Sequence, residues 1–250
     1  MDYITHFNTK LKKTDNNNLT RENYCVPSKK IDSKYKRIIK KATTFVKEHN
    51  RPPLLCPSCY YEFPNRIFED EEHFSDTFIE KHYKDCMENF DLNMNYFTRL
   101  NFDKFNEYLL KFVKKKKFNE VDDLDILKDK KGIYILVLDN YKQVYIGISN
   151  SIKKRILQHW RTKKDFGHLL CGEVDTSVLS IDSFGALDTT RIFYKELKWY
   201  QDLDEYEERI VKEFKNEYML NRISGGINGD DDSLSRFLKA QSTIHKRKLK

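Results

Sequence analysis

Two short apolar runs joined by a polar turn constrain this chain more than any other feature. The runs lie around Tyr134 and Tyr145, are rich in β-branched and aromatic residues, and are separated by the turn-prone residues 139–142. This pattern predicts a β-hairpin, because runs of this composition form strands and such a turn reverses the chain. Side chains alternate between the two faces of a strand, so one face of the hairpin can pack while the other presents phenols.

A basic amphipathic helix is predicted directly after the hairpin. Ser149 or Asn150 can cap a helix that spans about residues 151–161. Arg155 and His159 are spaced by four residues, so they share one stripe of this helix and lie side by side. The neighbouring stripe, which is predicted to pack on the sheet, consists of Ile152, Ile156 and Trp160.

A further helix is predicted over residues 203–215, where apolar residues recur at helical spacing. Glu207 lies one step from the buried stripe of this helix, so its carboxylate can reach a metal ion at the surface of the sheet. The adjacent Glu205 and Glu208 are the competing candidates, since a solvated helix would carry acidic residues anyway. The position beside the buried stripe favours Glu207 over Glu208.

Together these residues resemble the GIY-YIG nuclease family, which includes homing endonucleases, some restriction enzymes and the incision subunit of bacterial nucleotide-excision repair. The family pattern has two tyrosine triplets, an arginine eight residues after the second, a histidine one turn later, and a downstream glutamate and asparagine. The resemblance covers residues 130–229. The matching residues, taken as the catalytic set, are Gly132-Ile133-Tyr134, Tyr145-Ile146-Gly147, Arg155, His159, Glu207 and Asn221.

The resemblance implies a metal-dependent endonuclease and a role for each residue. Tyr134 would be the general base, with its proton drawn off by His159, because a free phenol of pKa about 10 is a poor base at neutral pH. Tyr145 would position the water or the substrate, and Arg155 would clamp a phosphate oxygen. Glu207 would hold one Mg²⁺ or Mn²⁺ ion.

The expected fold of the nuclease domain is α+β, with a small mixed or antiparallel three-stranded sheet flanked by helices. Residues 190–199 are the best candidate for the third strand. Upstream of this domain we expect a mainly helical zinc-binding module. Residues 165–189 give no regular pattern, and residues 1–30 are polar and expected to be loose.

The upstream module is predicted from a second group of ligand-type residues. Cys56 and Cys59 form a Cys-x2-Cys pair, and His82 and Cys86 form a His-x3-Cys pair. Four such ligands are what a closed tetrahedral zinc site needs. The alternative is a set of buried thiols or a disulfide. The spacing also resembles the small ubiquitin-binding zinc fingers of some DNA-repair proteins, so the partner of this module is open between DNA and a ubiquitin-like protein.

Composition and charge favour a polyanionic partner. The chain has 250 residues, 39% hydrophobic and 34% charged, and a formal net charge of +7. We expect it to bind DNA, preferably double-stranded, through cations around the site. No stretch is apolar enough to cross a membrane, and no signal segment is evident, so a cytoplasmic, nucleoid or nuclear location is expected. The expected DNA-binding residues are Lys153, Lys154, Arg161, Lys163 and Lys164.

The sequence predicts five segments and leaves the biological role open. A restriction or defence enzyme competes with a homing or mobile-element endonuclease, and a repair nuclease is a third candidate. The alternative of another class is a non-catalytic DNA-binding or ubiquitin-type adaptor on a nuclease fold. A homo-oligomer is compatible with all of these. The segments are a polar N-terminal segment with one helix (1–53), the zinc-binding module (54–90), a helical connector (91–129), the nuclease domain (130–229) and a basic C-terminal tail (230–250).

Overall fold

The computed structural model describes residues 2–31, 69–70, 72–161, 174–198, 201–221 and 249. The one helix predicted in the N-terminal segment, over residues 33–49, lies outside the described residues. The same is true of most of the predicted C-terminal tail and of the first half of the predicted zinc-binding module. Of the predicted site residues, Cys56, Cys59, Lys163 and Lys164 lie outside them. Within the described part, no helix is long and apolar enough to cross a membrane.

The N-terminal segment is ordered, contrary to the expectation that residues 1–30 are loose. Strands β1 (Tyr3–His6) and β2 (Thr9–Lys12) form an antiparallel hairpin, and a short helix α1 (Arg21–Tyr24) follows. The hairpin turns at Phe7 and Asn8, whose φ angles of 45° and 56° are those of a two-residue turn with both central residues left-handed. Asn-Gly is the usual sequence of such a turn, so the sequence Phe-Asn does not indicate a turn at this position.

Two consecutive helices occupy the second half of the predicted zinc-binding module and the first part of the predicted helical connector. Helix α2 (Asp76–Arg99) begins after Ser75, whose side chain accepts a hydrogen bond from the backbone N–H of Phe78. Helix α3 (Phe102–Lys116) begins after Asn101, whose side chain accepts from the backbone N–H of Lys104. The Asn101 cap separates the two helices because a capping residue has an extended backbone.

The central sheet has four antiparallel strands, one more than predicted. Strand β3 (Asn119–Val121) lies at one edge, beside β6 (Arg191–Glu196). Strand β4 (Gly132–Leu138) pairs with β6 on one side and with β5 (Gln143–Ser149) on the other. The order is therefore β3-β6-β4-β5. The predicted hairpin and third strand are confirmed, whereas a strand of three residues is too short to show an alternating pattern.

Side chains of β4 alternate between the two faces of the sheet, and different helices cover the two faces. On one face Ile133, Ile135 and Val137 pack with α3 and with α5 (Leu203–Glu213). On the other face Tyr134, Leu136 and Leu138 pack with α4 (Ile152–Arg161) and α2. Every residue of β4 is buried. Tyr134 thus belongs to a covered face of the sheet, and α4 lies on that same face.

The N-terminal hairpin is attached, through α4 and the segment before β6, to the face of the sheet that carries Tyr134. The His6 ring nitrogen Nε2 donates to the Thr189 carbonyl at 2.9 Å, and the indole N–H of Trp160 donates to the Thr189 hydroxyl at 3.1 Å. The buried carboxylate of Asp188 accepts from the backbone N–H of Leu19 at 2.7 Å. Residues far apart in sequence therefore form one packed body.

Candidate active site

The two tyrosines lie on one face of neighbouring strands, with ring centroids 6.2 Å apart. Tyr134 is fully buried and Tyr145 is partly buried. Burial raises the pKa of Tyr134 well above its usual value, and the nearby Tyr145 and Glu207 add to this, while Arg155 opposes it. Burial also raises the pKa of Tyr145, and Glu207 contributes. Neither phenol ionises by itself at neutral pH, so removal of a proton from Tyr134 requires a neighbouring acceptor.

The glycines of both triplets make room for this arrangement. A Cβ on Gly147 would lie 2.6 Å from the Tyr134 hydroxyl oxygen and 2.8 Å from Cε1 of Tyr145. Gly132 has φ 157°, and a Cβ there would collide with the carbonyl oxygen of Lys195 on β6. Glycine is needed where another group approaches the backbone this closely. Gly147 therefore leaves space for the Tyr134 phenol, and Gly132 allows the close approach of β6 to β4.

The buried Tyr134 hydroxyl has a hydrogen-bond partner on α4. The Tyr134 hydroxyl lies 2.9 Å from Nε2 of His159, and Nδ1 of the same ring lies 2.6 Å from Oδ1 of Asp182. His159 is buried and packs edge-on against Tyr145, with ring centroids 5.2 Å apart. Helix α4 presents His159 towards the sheet, so this residue is part of the packed site and not a solvated helix residue.

Arg155 supplies the positive charge of the site. It lies one turn before His159 on α4, is partly exposed, and donates to the Gln158 side chain at 2.8 Å. Burial lowers the pKa of Arg155, but the neighbouring Tyr134, Tyr145 and Asp182 raise it. The resulting pKa lies above the usual value for arginine. The guanidinium is thus held beside both phenols while solvent still reaches it. A cation in this position can contact an anionic oxygen of a substrate.

Glu207 is the buried carboxylate of the site. Its exposed fraction is 4%, and it raises the pKa of both tyrosines, which places its charge near their hydroxyl groups. Glu208, the competing candidate, pairs instead with Lys212 on the outside of α5, where both side chains are about half exposed. The structure therefore brings Glu207, and not Glu208, to the tyrosines.

The donor set around Glu207 fits a hard divalent cation that retains water. Among the residues that the structure describes, no group of three or more His, Cys, Asp or Glu side chains could hold a metal ion. Mg²⁺ does not require such a group, since it is commonly bound through one or two carboxylates, several waters and substrate phosphates. A single buried carboxylate beside two phenols offers the oxygen ligands that this mode of binding uses.

Asn221 contacts the backbone of β5 and not the phenols. Its side-chain oxygen accepts from the Ile146 N–H at 2.9 Å, and its amide N–H donates to the Ile146 carbonyl at 2.6 Å. Because β5 is an edge strand, this side chain takes the place of a further strand. Ile146 lies between Tyr145 and Gly147, so Asn221 fixes the strand that carries the second triplet.

The predicted DNA-binding residues fall into three groups. Lys154 and Arg161 are exposed on α4. Lys153 forms an ion pair with Asp125, so part of its charge is neutralised within the protein. The remaining two, Lys163 and Lys164, lie outside the described residues.

The predicted zinc ligands are described only in part. His82 and Cys86 are buried on α2, with Nε2 and Sγ 3.5 Å apart, while Cys56 and Cys59 lie outside the described residues. The His82 ring stacks on Phe78 at a centroid distance of 5.0 Å. The zinc site therefore stays a prediction.

Asp182 is the site residue that the sequence did not predict. It lies in a short 3₁₀ turn, Ile181–Ser183, within the stretch that gave no regular pattern. Its only sequence signal is an acidic residue in a turn before the third strand. That signal identifies no partner, because the contact with His159 spans 23 residues and depends on the folded structure.

The fold and the site form one arrangement: an antiparallel sheet presents two phenols, and flanking helices bring a histidine, an arginine and a buried carboxylate to them. Residues 130–221 match the family model described as the GIY-YIG catalytic domain. The match falls within the region where the sequence resembles this family, and the resemblance is confirmed there. No curated protein and no solved structure matches the chain.

Proposed function

We propose that the protein is a metal-dependent endonuclease that hydrolyses DNA phosphodiester bonds, with Tyr134 as the general base. The observation that carries this proposal is the 2.9 Å hydrogen bond between the Tyr134 hydroxyl and Nε2 of His159. The pKa of the buried phenol is raised, so Tyr134 acts as a base only if its own proton leaves as it accepts another. A buried imidazole in hydrogen-bond contact provides the destination for that proton.

The proton transfers balance as follows. A water molecule loses a proton to the Tyr134 oxygen while the phenolic proton moves to Nε2 of His159. The resulting hydroxide forms the new bond to phosphorus, and the bond from phosphorus to the leaving oxygen breaks. The leaving oxygen takes a proton from solvent water, and His159 returns its extra proton to solvent before the next turnover. Tyr145, whose ring lies against His159, is placed to orient the water or the substrate. Such positioning lowers the activation barrier because the reacting groups are already held in a productive orientation, so less entropy is lost in the transition state.

Charge develops on the phosphoryl oxygens as the bond to water forms, and the site holds a cation to meet it. Arg155 lies beside both phenols, remains accessible, and can donate two parallel hydrogen bonds to a phosphate. Glu207 would hold the divalent cation, Mg²⁺ or Mn²⁺, which when bound neutralises charge on the phosphate and favours hydroxide formation. The role proposed for each residue rests on its position beside the two tyrosines.

The substrate surface proposed for DNA extends from α4 towards the N-terminal hairpin. A polar cavity of about 400 Å³ lies between them, and Asp182, Lys10, Lys12 and Arg161 are among its lining residues. Lys10 and Lys12 alternate with the buried Leu11 on β2, so both point away from the core. Three cations along one cavity beside the site favour a phosphate backbone over a neutral substrate.

A structural zinc ion is the second cofactor of this proposal. With Zn–S of about 2.3 Å and Zn–N of about 2.0 Å, two ligands of a tetrahedral site lie about 3.6 Å apart. The 3.5 Å separation of His82 Nε2 and Cys86 Sγ is compatible with that geometry. Elemental analysis of protein prepared without chelators should find about one zinc per chain, and Cys86→Ser should lower it, whereas Cys171→Ser should not. Protein free of zinc would contradict this part of the proposal.

Within DNA cleavage, we favour a restriction or defence role over homing, mobile-element cleavage or repair. The alternative of another class, a non-catalytic adaptor on a nuclease fold, is disfavoured because the buried phenol, imidazole and carboxylate form one connected group. The identity of the neighbouring genes would distinguish between these enzymatic roles. A companion methyltransferase favours restriction, and an interrupted host gene favours homing.

The proposal is tested with duplex DNA and a matched pair of glutamate variants. Wild-type protein should cut in Mg²⁺ or Mn²⁺ and not in a chelator. Glu207→Gln should reduce cutting to background and leave DNA binding unchanged, because it removes the carboxylate at the tyrosines. Glu208→Gln, which alters the exposed pair with Lys212, should cut like the wild type. Undiminished cutting by Glu207→Gln would contradict the assignment.

A further inference from the structure

Asp182 ends a chain of hydrogen bonds that begins at the buried Tyr134 phenol. The chain runs from the phenol to Nε2 of His159 over 2.9 Å and from Nδ1 to the Asp182 carboxylate over 2.6 Å. The His159 side chain is 3% exposed and the Asp182 side chain 31%, so the chain connects a buried phenol to a group that solvent reaches. The three residues come from β4, α4 and the turn Ile181–Ser183.

The Asp182 carboxylate decides which nitrogen of His159 carries the proton. A carboxylate only accepts hydrogen bonds, so the short contact with Nδ1 requires that Nδ1 donates. In a neutral imidazole the other nitrogen, Nε2, then has a free electron pair directed at the Tyr134 hydroxyl. In the opposite tautomer Nε2 would donate to the phenol oxygen and could not accept its proton, while the electron pair of Nδ1 would face the carboxylate.

We infer that Asp182 is a positioning residue of the proposed nuclease site, which holds His159 in the tautomer that can accept the Tyr134 proton and stabilises the imidazolium that results. This inference rests on the proposed function. When the phenolic O–H bond breaks, a new N–H bond forms at Nε2, and the positive charge on the ring faces the carboxylate at Nδ1. The carboxylate remains ionised throughout, so no proton passes beyond His159.

The surroundings of His159 make such a carboxylate necessary. The ring of His159 lies near the phenols of Tyr134 and Tyr145 and contacts Asp182, and Arg155 lies one turn earlier on the same helix. Arg155 carries a permanent positive charge that disfavours a second cation nearby. The negative charge of Asp182 offsets this repulsion, which no uncharged neighbour would do.

Two backbone hydrogen bonds and a buried side chain restrain the turn that carries Asp182. Ile181 is buried, the Ser183 N–H donates to the Ser180 carbonyl at 2.9 Å, and the Phe184 N–H donates to the Ile181 carbonyl at 3.0 Å. A fixed turn limits the directions in which the carboxylate can point. The hydrogen bond with His159 therefore needs little additional ordering of the side chain.

The substitution Asp182→Asn tests this inference, since asparagine keeps the size of the side chain but loses the charge. Its amide can rotate and donate to Nδ1, which favours the wrong tautomer of His159. We expect the single-turnover cleavage rate to fall by about 10²- to 10⁴-fold, while DNA affinity measured in a chelator stays within about twofold. Nitrogen-15 NMR of the imidazole should report protonated Nδ1 in the wild type and protonated Nε2 in the variant, with His159→Gln used for assignment.

The matched control is Asp188→Asn, six residues further along. Asp188 is a buried carboxylate that accepts from the backbone N–H groups of Leu19 and Gly185, and it does not contact His159 in the described hydrogen bonds. This variant should melt at a lower temperature but, below that temperature, cleave within about threefold of the wild-type rate.

Three outcomes would overturn the inference. The first is cleavage by Asp182→Asn within about threefold of the wild type, and the second is an unprotonated Nδ1 on neutral wild-type His159. The third is a loss of DNA affinity that matches the loss of rate, which would assign Asp182 to binding or folding. Failure of the wild type to cleave DNA is a different result, because it contradicts the proposed function itself.

Discussion

A Cβ on Gly147 would lie 2.6 Å from the Tyr134 hydroxyl oxygen, so the glycine of one triplet defines the space occupied by the phenol of the other. The two residues face each other across the β4–β5 pair. The geometry explains why two tripeptides from separate strands form one unit: a change in either disturbs the hydrogen bond from Tyr134 to His159.

The substitution Gly147→Ala should therefore impair folding and catalysis together. The added methyl group crowds Tyr134, and overpacking of this kind costs about 1–3 kcal/mol of unfolding free energy. In a Tyr134→Phe background the cost should be smaller by at least about 0.5 kcal/mol, because the hydroxyl oxygen is gone. Urea denaturation of both single variants and the double variant measures this coupling. Strict additivity would contradict the assigned contact.

The substitution Asn221→Ala should expose the edge of β5. It leaves the N–H and carbonyl of Ile146 without their partner, which should lower the unfolding free energy by about 2–4 kcal/mol. Amide hydrogen exchange at Ile146 should accelerate. Asn95→Ala, on the exposed side of α2, is the matched control and should change stability by less than about 0.5 kcal/mol. Wild-type exchange at Ile146 in Asn221→Ala would contradict the positioning role.

The buried phenols should make the protein sensitive to alkali. The pKa of Tyr134 is raised in the folded state, so the unfolded chain loses this proton first as the pH rises above about 10. The unfolded state then binds fewer protons than the folded state, and stability falls with increasing pH. Between pH 10 and the folded pKa, Tyr134 should contribute a loss of about 1.4 kcal/mol per pH unit. Stability below pH 10 should be independent of this group.

Tyr134→Phe should remove that contribution and give a shallower dependence of unfolding free energy on pH. Tyr145→Phe should behave similarly, since burial raises the pKa of Tyr145 as well. Chemical denaturation at several pH values above 10, in the presence of a chelator, gives the slopes. A Tyr134→Phe curve parallel to the wild-type curve would contradict the assigned burial of the phenol.

The exposed lysines of β2 should contribute to DNA affinity through charge. Replacing Lys10 and Lys12 with alanine should weaken duplex binding and reduce the slope of log K against log salt concentration by about 0.9 for each phosphate that is no longer neutralised. Lys81→Ala is the control, because Lys81 pairs with Asp85 on α2 and does not line this cavity. An unchanged salt slope in the double variant would exclude β2 from the DNA surface.

The sequence predicted the hairpin, the site helix and the family because each depends on local periodicity or on fixed spacing. Strand β4 is buried along its length, and Arg155 and His159 follow helical spacing, so their relation is local. The role of Asn221 could not be predicted this way. Its spacing fits the family pattern, but its contact with the Ile146 backbone depends on β5 being an edge strand.

Three other features escaped prediction for physical reasons. The turn of the N-terminal hairpin places Phe7 in a left-handed conformation, which side chains with a Cβ seldom adopt. Strand β3 has three residues and gains its stability from β6. Asp182 lies in an irregular turn, where neither periodicity nor composition indicates a partner, and its contact forms only when the chain folds.

The N-terminal hairpin is attached to the face of the sheet that carries Tyr134, and this attachment affects the order in which the chain folds. The hydrogen bond from His6 to Thr189 closes a loop of 183 residues, and that from Leu19 to Asp188 closes one of 169. Contacts of such high sequence separation form late and slow the search for the native state. The β4–β5 hairpin precedes Asp188 in the chain, so a nascent chain would hold this hairpin before Asp188 acquires the Leu19 N–H. The docking of about the first 20 residues would thus be a late step in completing the face of the sheet that carries Tyr134.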